Sequence, residues 1–330
     1  MRLSFTKLLF LAISVIVMSI NSSVFAQGIT SAALNGVVTD QNGEPLPSAT
    51  VIAVHEPSGT QYGITTRDNG AYNLLGLRVG GPYTVTVSYI GYETQKKENI
   101  YLTLGQNLTL NFKLTTSAVK LSEVTIVGRR NAIISSDRTG AFQNVTSQQM
   151  QEIPTISRSF QSFAKLSPLV SGTSSQIAGR NNRYNNIQID GTQYNDLFGL
   201  GSTGTPGGQT GANPISMDAV DEFQVVVAPY DVRYGGFTGG GINAITRSGT
   251  NDYKGSIYGY GRNQALVGLS PIDKSKYADF TDYQYGARLG GPIMKDKLFF
   301  FTNVELTQHT VPLSNIGLVS WTCRCSSLGW

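Results

Sequence analysis

Leu121-Ser122-Glu123-Val124-Thr125-Ile126-Val127-Gly128-Arg129-Arg130 is the stretch on which the reading of this chain turns. Val124, Thr125, Ile126 and Val127 are β-branched and favour extended backbone. The Gly-Arg-Arg triplet closes the run. A regular all-β pattern precedes it and a glycine-rich region of different character follows. Two readings are open at this point: a connector buried between two domains, or a free strand that pairs with the sheet edge of another protein.

At 330 residues the chain has room for two or three ordinary domains. Charged residues make up only 14%, against abundant Gly, Ser, Thr, Asn and Tyr, a mix that suits β-rich envelope or extracellular proteins. A net charge of +4, with scattered basic residues and no aromatic interleaving, argues against nucleic acid as a partner. The two histidines, His55 and His309, lie far apart and fit no zinc-binding spacing. No nucleophile, base or metal cluster emerges, so no enzyme activity and no cofactor are expected. Both cysteines (Cys323, Cys325) and both tryptophans (Trp321, Trp330) fall in the last ten residues, which marks 311–330 as an atypical tail.

Upstream of the pivot, residues 1–26 read as a signal peptide. Arg2 and Lys7 supply its basic start, Leu8 to Ile20 an apolar stretch too short to span a bilayer, and Val24-Phe25-Ala26 the cleavage pattern. Residues 34–115 then alternate short strands with turn chemistry. Asn42-Gly43 and Asn69-Gly70 mark turns because the Asn-Gly pair accepts positive φ. Tyr83, Val85, Val87 and Tyr89 alternate with Thr84, Thr86 and Ser88, and Leu108, Leu110, Phe112 and Leu114 repeat the pattern. About seven such strands predict an immunoglobulin-like β-sandwich. Glu44, Glu56, Asp68 and Glu93 sit at turns and read as solvated. This segment closely resembles the carboxypeptidase-regulatory-like domain through Gly36 to Asp40 with Gly43 to Leu46, Thr66 to Tyr72, and Tyr83 to Tyr92. The resemblance implies no peptidase activity.

Downstream, Thr146 is placed to cap a helical turn over Ser147 to Ile153, which the Ile153-Pro154 pair ends. Ser157 is expected to open a second helix with Phe160, Phe163, Ala164 and Ser167 at helical spacing, stopped by Pro168. Tyr184 to Gly191 reads as a strand ending in an Asp-Gly turn, Phe223 to Val227 as an apolar strand, and Gly241 to Gly249 as a strand and turn. Eleven glycines between Gly199 and Gly241 favour tight turns against another surface, and no Gly-Lys-Ser/Thr follows to make a phosphate cradle.

The order of these parts resembles the plug domain of TonB-dependent outer-membrane receptors. The matching residues are Phe160 to Leu166 with Pro168 to Gly172, Ile187 to Gly191, Asp218 to Val225, Tyr234 to Gly236, and Gly240 to Arg247. Val226 to Arg233 and the preceding sandwich are similar to the Oar-type receptors more than to the SusC-type glycan importers. The plug is then expected over 137–248, with Asp190, Gly191, Gly240, Gly241 and Asn243 as its motif residues.

Residues 252–310 should begin a transmembrane β-barrel. Lys254 to Arg262 has the length of a tilted spanning strand. Asn263 to Asp282 is a long polar loop, and Pro292 to Asp296 a short turn. Tyr285, Ala287 and Leu289 would face lipid, as would Leu298, Phe300, Val304 and Leu306, opposite Asn303, Glu305 and Thr307. A long loop first and a short turn second is the order of a chain entering from the periplasm.

The expected fold is therefore mainly β: an immunoglobulin-like sandwich, an α+β plug, then the first barrel strands. The resemblance implies an outer-membrane transporter with a barrel of about 22 strands, energised through TonB and its inner-membrane complex and importing an unidentified substrate. In that reading 121–130 is a Ton-box-like strand in the periplasm. Val124, Thr125, Ile126 and Val127 supply its extended geometry and Glu123 its one charged element, and all five bind TonB. Roughly sixty residues after Gly249 supply about three strands, and an open sheet of that size leaves edges that lipid does not tolerate. The chain is accordingly read as a fragment that does not transport alone. An alternative of another class is a surface adhesion protein using an aromatic platform of Tyr62, Tyr72, Tyr83 and Tyr89 on the sandwich.

Overall fold

Alternation with period two builds the first domain, because each strand has one face to bury. The computed structural model describes residues 28–116, 141–153, 155, 158–171, 176–196, 198, 203–208, 212–227, 229, 234–270, 272–312 and 322–329. The signal segment 1–26 and the stretch 121–130, with Glu123, Val124, Thr125, Ile126 and Val127, lie outside the described residues.

The sandwich comprises β1 (Ala32–Thr39), β2 (Thr50–His55), β3 (Thr60–Thr65), β4 (Ala71–Leu77), β5 (Gly80–Ser88), β6 (Gln95–Leu102), β7 (Asn107–Thr109) and β8 (Phe112–Lys113). One sheet runs β4-β1-β7, with β8 also on β1, and the other β3-β2-β5-β6. Between them lie Leu34, Val38, Val51, Ala53, Leu77, Val85, Val87 and Leu114, all buried. Each large apolar side chain so buried contributes on the order of 1.5–3 kcal/mol. The predicted turns carry the backbone they require: Gly43 has φ 90° and Gly70 φ 70°. Tyr72 and Tyr83 are core residues whose hydroxyls donate to Leu110 O and Arg78 O, and Tyr62 and Tyr89 pack against the same core. The four tyrosines therefore form no exposed platform.

The second domain is built on β9 (Ala141–Thr146), β10 (Val170–Ser171), β11 (Gln176–Ile177), β12 (Asn186–Ile189), β13 (Thr192–Gln193), β14 (Val220–Val227) and β15 (Gly241–Thr246). Five of these form one sheet in the order β13-β12-β15-β14-β9, with β12 and β15 parallel. Helix α1 (Ser147–Glu152) opens on a capping box: Thr146 Oγ1 accepts from Gln149 N, and the Gln149 side chain accepts from Thr146 N. Helix α2 (Phe160–Ala164) follows an extended Ser159, and Ser157, expected to open it, lies outside the described residues. It buries Phe160, Phe163 and Ala164 against Val145, Phe223, Val225 and Ile242.

The third part is a sheet β16-β17-β18-β19 made of β16 (Lys254–Asn263), β17 (Thr281–Met294), β18 (Leu298–Pro312) and β19 (Thr322–Gly329). A one-turn helix α3 (Gln264–Val267) opens the long loop. Two differences from the sequence reading stand out. The second and third strands run 14 and 15 residues, past the expected ends, because hydrogen-bonded pairing continues on both sides of the turn at 295–297. Residues 322–329, read as part of an atypical tail, pair antiparallel with Glu305 to Pro312 and add a fourth strand. No helix among the described residues is long and apolar enough to cross a membrane.

Candidate functional site

The wall strands sort their side chains by parity. Ile257, Ala287 and Val304 share one row, as do Gly259, Tyr285 and Leu306, and this face leaves Ile257, Tyr285, Leu289, Val304 and Leu306 exposed. The opposite face carries Tyr258, Gly286 and Glu305 in one row and Ser256, Arg288 and Asn303 in the next. That polar face meets the second domain.

The meeting point is the short turn before β14. Ser216 caps a single 3-10 turn over Met217–Ala219, which leaves Asp218 buried and pointing to the wall. The Asp218 carboxylate pairs with Arg158 Nη2 at 3.0 Å and lies 3.9 Å from Arg288 Nη1, which also donates to Asp218 O at 3.1 Å. Arg158 in turn lies over the rings of Tyr260 and Tyr258, at 4.1 and 5.2 Å from their centroids. Ser216 Oγ donates to Glu305 Oε2 at 2.7 Å, and Tyr258 OH reaches the same oxygen. Arg247, at the end of β15, is 3.9 Å from Asp221. Burial first, then the like charge of Arg288, lower its pKa, against Asp221 and Asp218. Arg158, Asp218 and Ser216 thus hold the sheet domain to Arg288, Tyr258, Tyr260 and Glu305 on the inner face of the wall, while the Arg247–Asp221 pair lies within the sheet domain.

The predicted motif residues come together at the β12–β15 pair. Asp190, with φ 49°, follows β12 and accepts from Thr246 N at 2.9 Å and Thr246 Oγ1 at 2.8 Å, which ties the end of β12 to the end of β15. Gly191 continues the turn at φ 79°. At the other end, a Cβ on Gly240 would overlap Ile177, and one on Gly241 would stand 3.3 Å from the Phe237 ring. Asn243 is buried in mid-strand and its Nδ2 donates to Ile29 O at 2.6 Å. Asn243 therefore faces the sandwich, away from the Gly240–Ile177 contact. The five residues expected to bind TonB, Glu123 to Val127, lie outside the described residues.

A second junction was not legible in the sequence. The turn between β6 and β7 carries Leu104 onto β9 and β14. Leu104 N donates to both carboxylate oxygens of Glu222 at 3.1 Å, and Leu104 O accepts from Gln224 Nε2 at 2.8 Å and Asn144 Nδ2 at 3.4 Å. Asn144 also donates to Glu222 at 2.8 Å and accepts from Gln224 at 3.0 Å. The Leu104 side chain packs with Ile29, Val79, Tyr234 and Ile245. Glu222 and Gln224, two apart on the face opposite Phe223 and Val225, were the available signal: such a strand has a second covered face that is polar. The sandwich also reaches the wall, where Asn251 N donates to Pro57 O at 2.8 Å beside the short turn at Asp296.

Pockets here are slight, and no group of three or more His, Cys, Asp or Glu side chains among the described residues could hold a metal ion. The arrangement is one of docked surfaces.

Comparison with known proteins follows the same three-part division. Residues 33–115 match the carboxypeptidase regulatory-like domain, 135–242 the TonB-dependent receptor plug domain, and 245–322 an outer membrane beta barrel domain. The TonB-dependent transporter Oar of Myxococcus xanthus is 27% identical over 315 residues, 89% of this chain. The chain spans 28% of that relative's length. Among solved structures, the outer membrane transporter YddB from Escherichia coli aligns at 16% identity over 57% of this chain and 29% of its own, with a TM-score of 0.43. The siderophore receptor PirA from Pseudomonas aeruginosa aligns at 20% identity over 51% of this chain and 27% of its own, with a TM-score of 0.39. The three matched domains, in this order and with the Oar relative running across them, support a TonB-dependent receptor of the outer membrane.

Proposed function

We propose that this chain serves energy-coupled uptake of a substrate through the outer membrane, as the sandwich, plug and first wall of a TonB-dependent transporter. The observation that carries the reading is the seating of the plug on the wall. Asp218, Arg158 and Ser216 meet Arg288, Tyr258 and Glu305 on the polar face of strands whose other face is apolar and exposed. An apolar outer face suits lipid, and a polar inner face filled by a folded domain makes a closed path that has to be opened by work.

TonB is the partner that supplies this work, acting from the periplasm with its inner-membrane complex. Residues 121–130 are the segment it takes hold of. Val124, Thr125, Ile126 and Val127 keep the backbone extended for pairing with a TonB strand, main-chain hydrogen bonds provide the affinity, and Glu123 adds one charge for selection. Asp190, Gly191, Gly240, Gly241 and Asn243 serve the plug by shaping and closing its β12–β15 pair.

A peptide spanning Ser122 to Arg129 should bind a purified TonB C-terminal domain, and Val124→Pro should abolish the binding by removing a strand hydrogen bond and restricting Glu123. Equal binding by both peptides, or by neither, removes the assignment of this segment.

A further inference from the structure

Strand β9 is the lightly anchored edge of the plug sheet beside β14. It is an edge strand, paired with β14 alone among the described residues, and only Val145 of its six side chains is buried. Its first residue, Ala141, lies opposite Val227, and its middle residue, Asn144, opposite Gln224. An edge strand of this kind peels from its free end, since each backbone pair opens without disturbing the next. Peeling from Ala141 first meets the Phe142 ring, 5.7 Å from that of Tyr234, and then the hydrogen-bonding side chain of Asn144.

That obstacle is shared with the sandwich. Asn144, Glu222 and Gln224 close a ring of hydrogen bonds around the Leu104 peptide, whose N–H and C=O are both engaged. The ring is sheltered: Leu104, Glu222 and Gln224 are all 3% exposed or less. Tyr234 donates to Gln224 Oε1 at 2.8 Å and roofs the Leu104 turn. Removing Asn144 from β14 would leave Leu104 O and Glu222 each short of a partner inside a low-dielectric junction, which is costly. Lifting Leu104 away would do the same to Glu222 and Gln224. The two movements therefore belong to one transition.

We propose that the sandwich is a latch on the plug: the Leu104 turn clasps β9 to β14, so that β9 is released only together with the sandwich. Residues 117–140 join the sandwich to β9, and a pull on them loads both sides of the clasp at once. That direction of load rests on the reading of 121–130 as the TonB-binding strand. The clasp itself does not, and the test below contains no TonB.

The test is hydrogen exchange followed by mass spectrometry on the full chain in outer-membrane lipid, wild type against Asn144→Ala and Gln224→Ala. A latch predicts that either change speeds exchange at two places, residues 141–146 of the plug and residues 103–106 of the sandwich. The expected increase is about tenfold or more, the size of one sheltered bond to a charged group. Exchange that rises in 141–146 while 103–106 keeps its wild-type rate would overturn the proposal, as would unchanged exchange at both. Glu222→Gln, which keeps shape and removes charge, should give the same paired response. If that variant fails to fold, the two others still decide. Loss of peptide binding to TonB in the separate experiment would remove the source of load and leave these exchange outcomes unaffected.

Discussion

Acid should loosen the sandwich through a single side chain. His55 ends β2, buried at 4% exposure, with its ring 4.9 Å from that of Tyr83 and Nδ1 2.7 Å from the Ser58 hydroxyl. Burial, then the positive charge of Arg78, lower its pKa from 6.5 to about 4, against a weaker opposing pull from Glu56. The folded state therefore holds His55 neutral where the unfolded chain already binds a proton. Stability from this source is complete above the unfolded value of 6.5 and drains as pH falls toward the folded value of about 4. Between pH 7 and pH 5 the loss is about 2 kcal/mol, since each unit of separation is worth about 1.4 kcal/mol. Of the two histidines in the chain, the other is His309, in β18. A segment covering 28–116 therefore has one histidine. Urea unfolding of that segment, followed by circular dichroism at pH 7 and pH 5, reads the difference. In His55→Gln the baseline stability drops, and about 2 kcal/mol of the pH dependence should vanish. An equal pH slope in wild type and His55→Gln would refute the reasoning, because the proton uptake would then lie elsewhere.

Two further substitutions probe the packing. Phe223→Ala removes the largest buried side chain of β14, at 1% exposure, from the plug core, and should cost about 3–5 kcal/mol in the unfolding of the plug sheet measured by denaturant. Ile257→Arg places a charge on the exposed outer face of the wall, at 89% exposure, and should lower the yield of bilayer insertion by an amount equivalent to about 2–4 kcal/mol if its row lies near the membrane midplane. Tyr258→Arg, on the plug-facing side of the same strand, should instead unseat the plug while sparing lipid contact.

What could be read from sequence was what local periodicity encodes. The Asn-Gly turns, the alternation at Tyr83 to Val87, the Thr146 cap and the inner and outer parity of residues 284–307 all depend on neighbours within a few positions. Helix α2 begins at Phe160 behind a Ser159 that makes no side-chain cap bond, so its start is tied to the burial of Phe160 in the plug core, which no local cap pattern announces. The lengths of β17 and β18 depend on each other, so neither end was visible in either strand alone. The clasp was hidden for the same reason on a larger scale. Leu104 and Glu222 are 118 residues apart, and Glu222 with Gln224 marks a covered polar face without identifying what covers it. The plug-to-wall ion pairs were equally silent: Asp218 looks like an ordinary turn acid until Arg158 and Arg288 arrive from either side.

The central claim is that TonB takes hold of this receptor by adding a strand at residues 124–127. Amide exchange across 121–130 in the full chain, measured with and without a TonB C-terminal domain, tests it most directly. Strand addition predicts that amides of Val124 to Val127 become protected in alternation when TonB is added, and that Val124→Pro prevents this. Unchanged exchange there in the presence of saturating TonB would contradict the account.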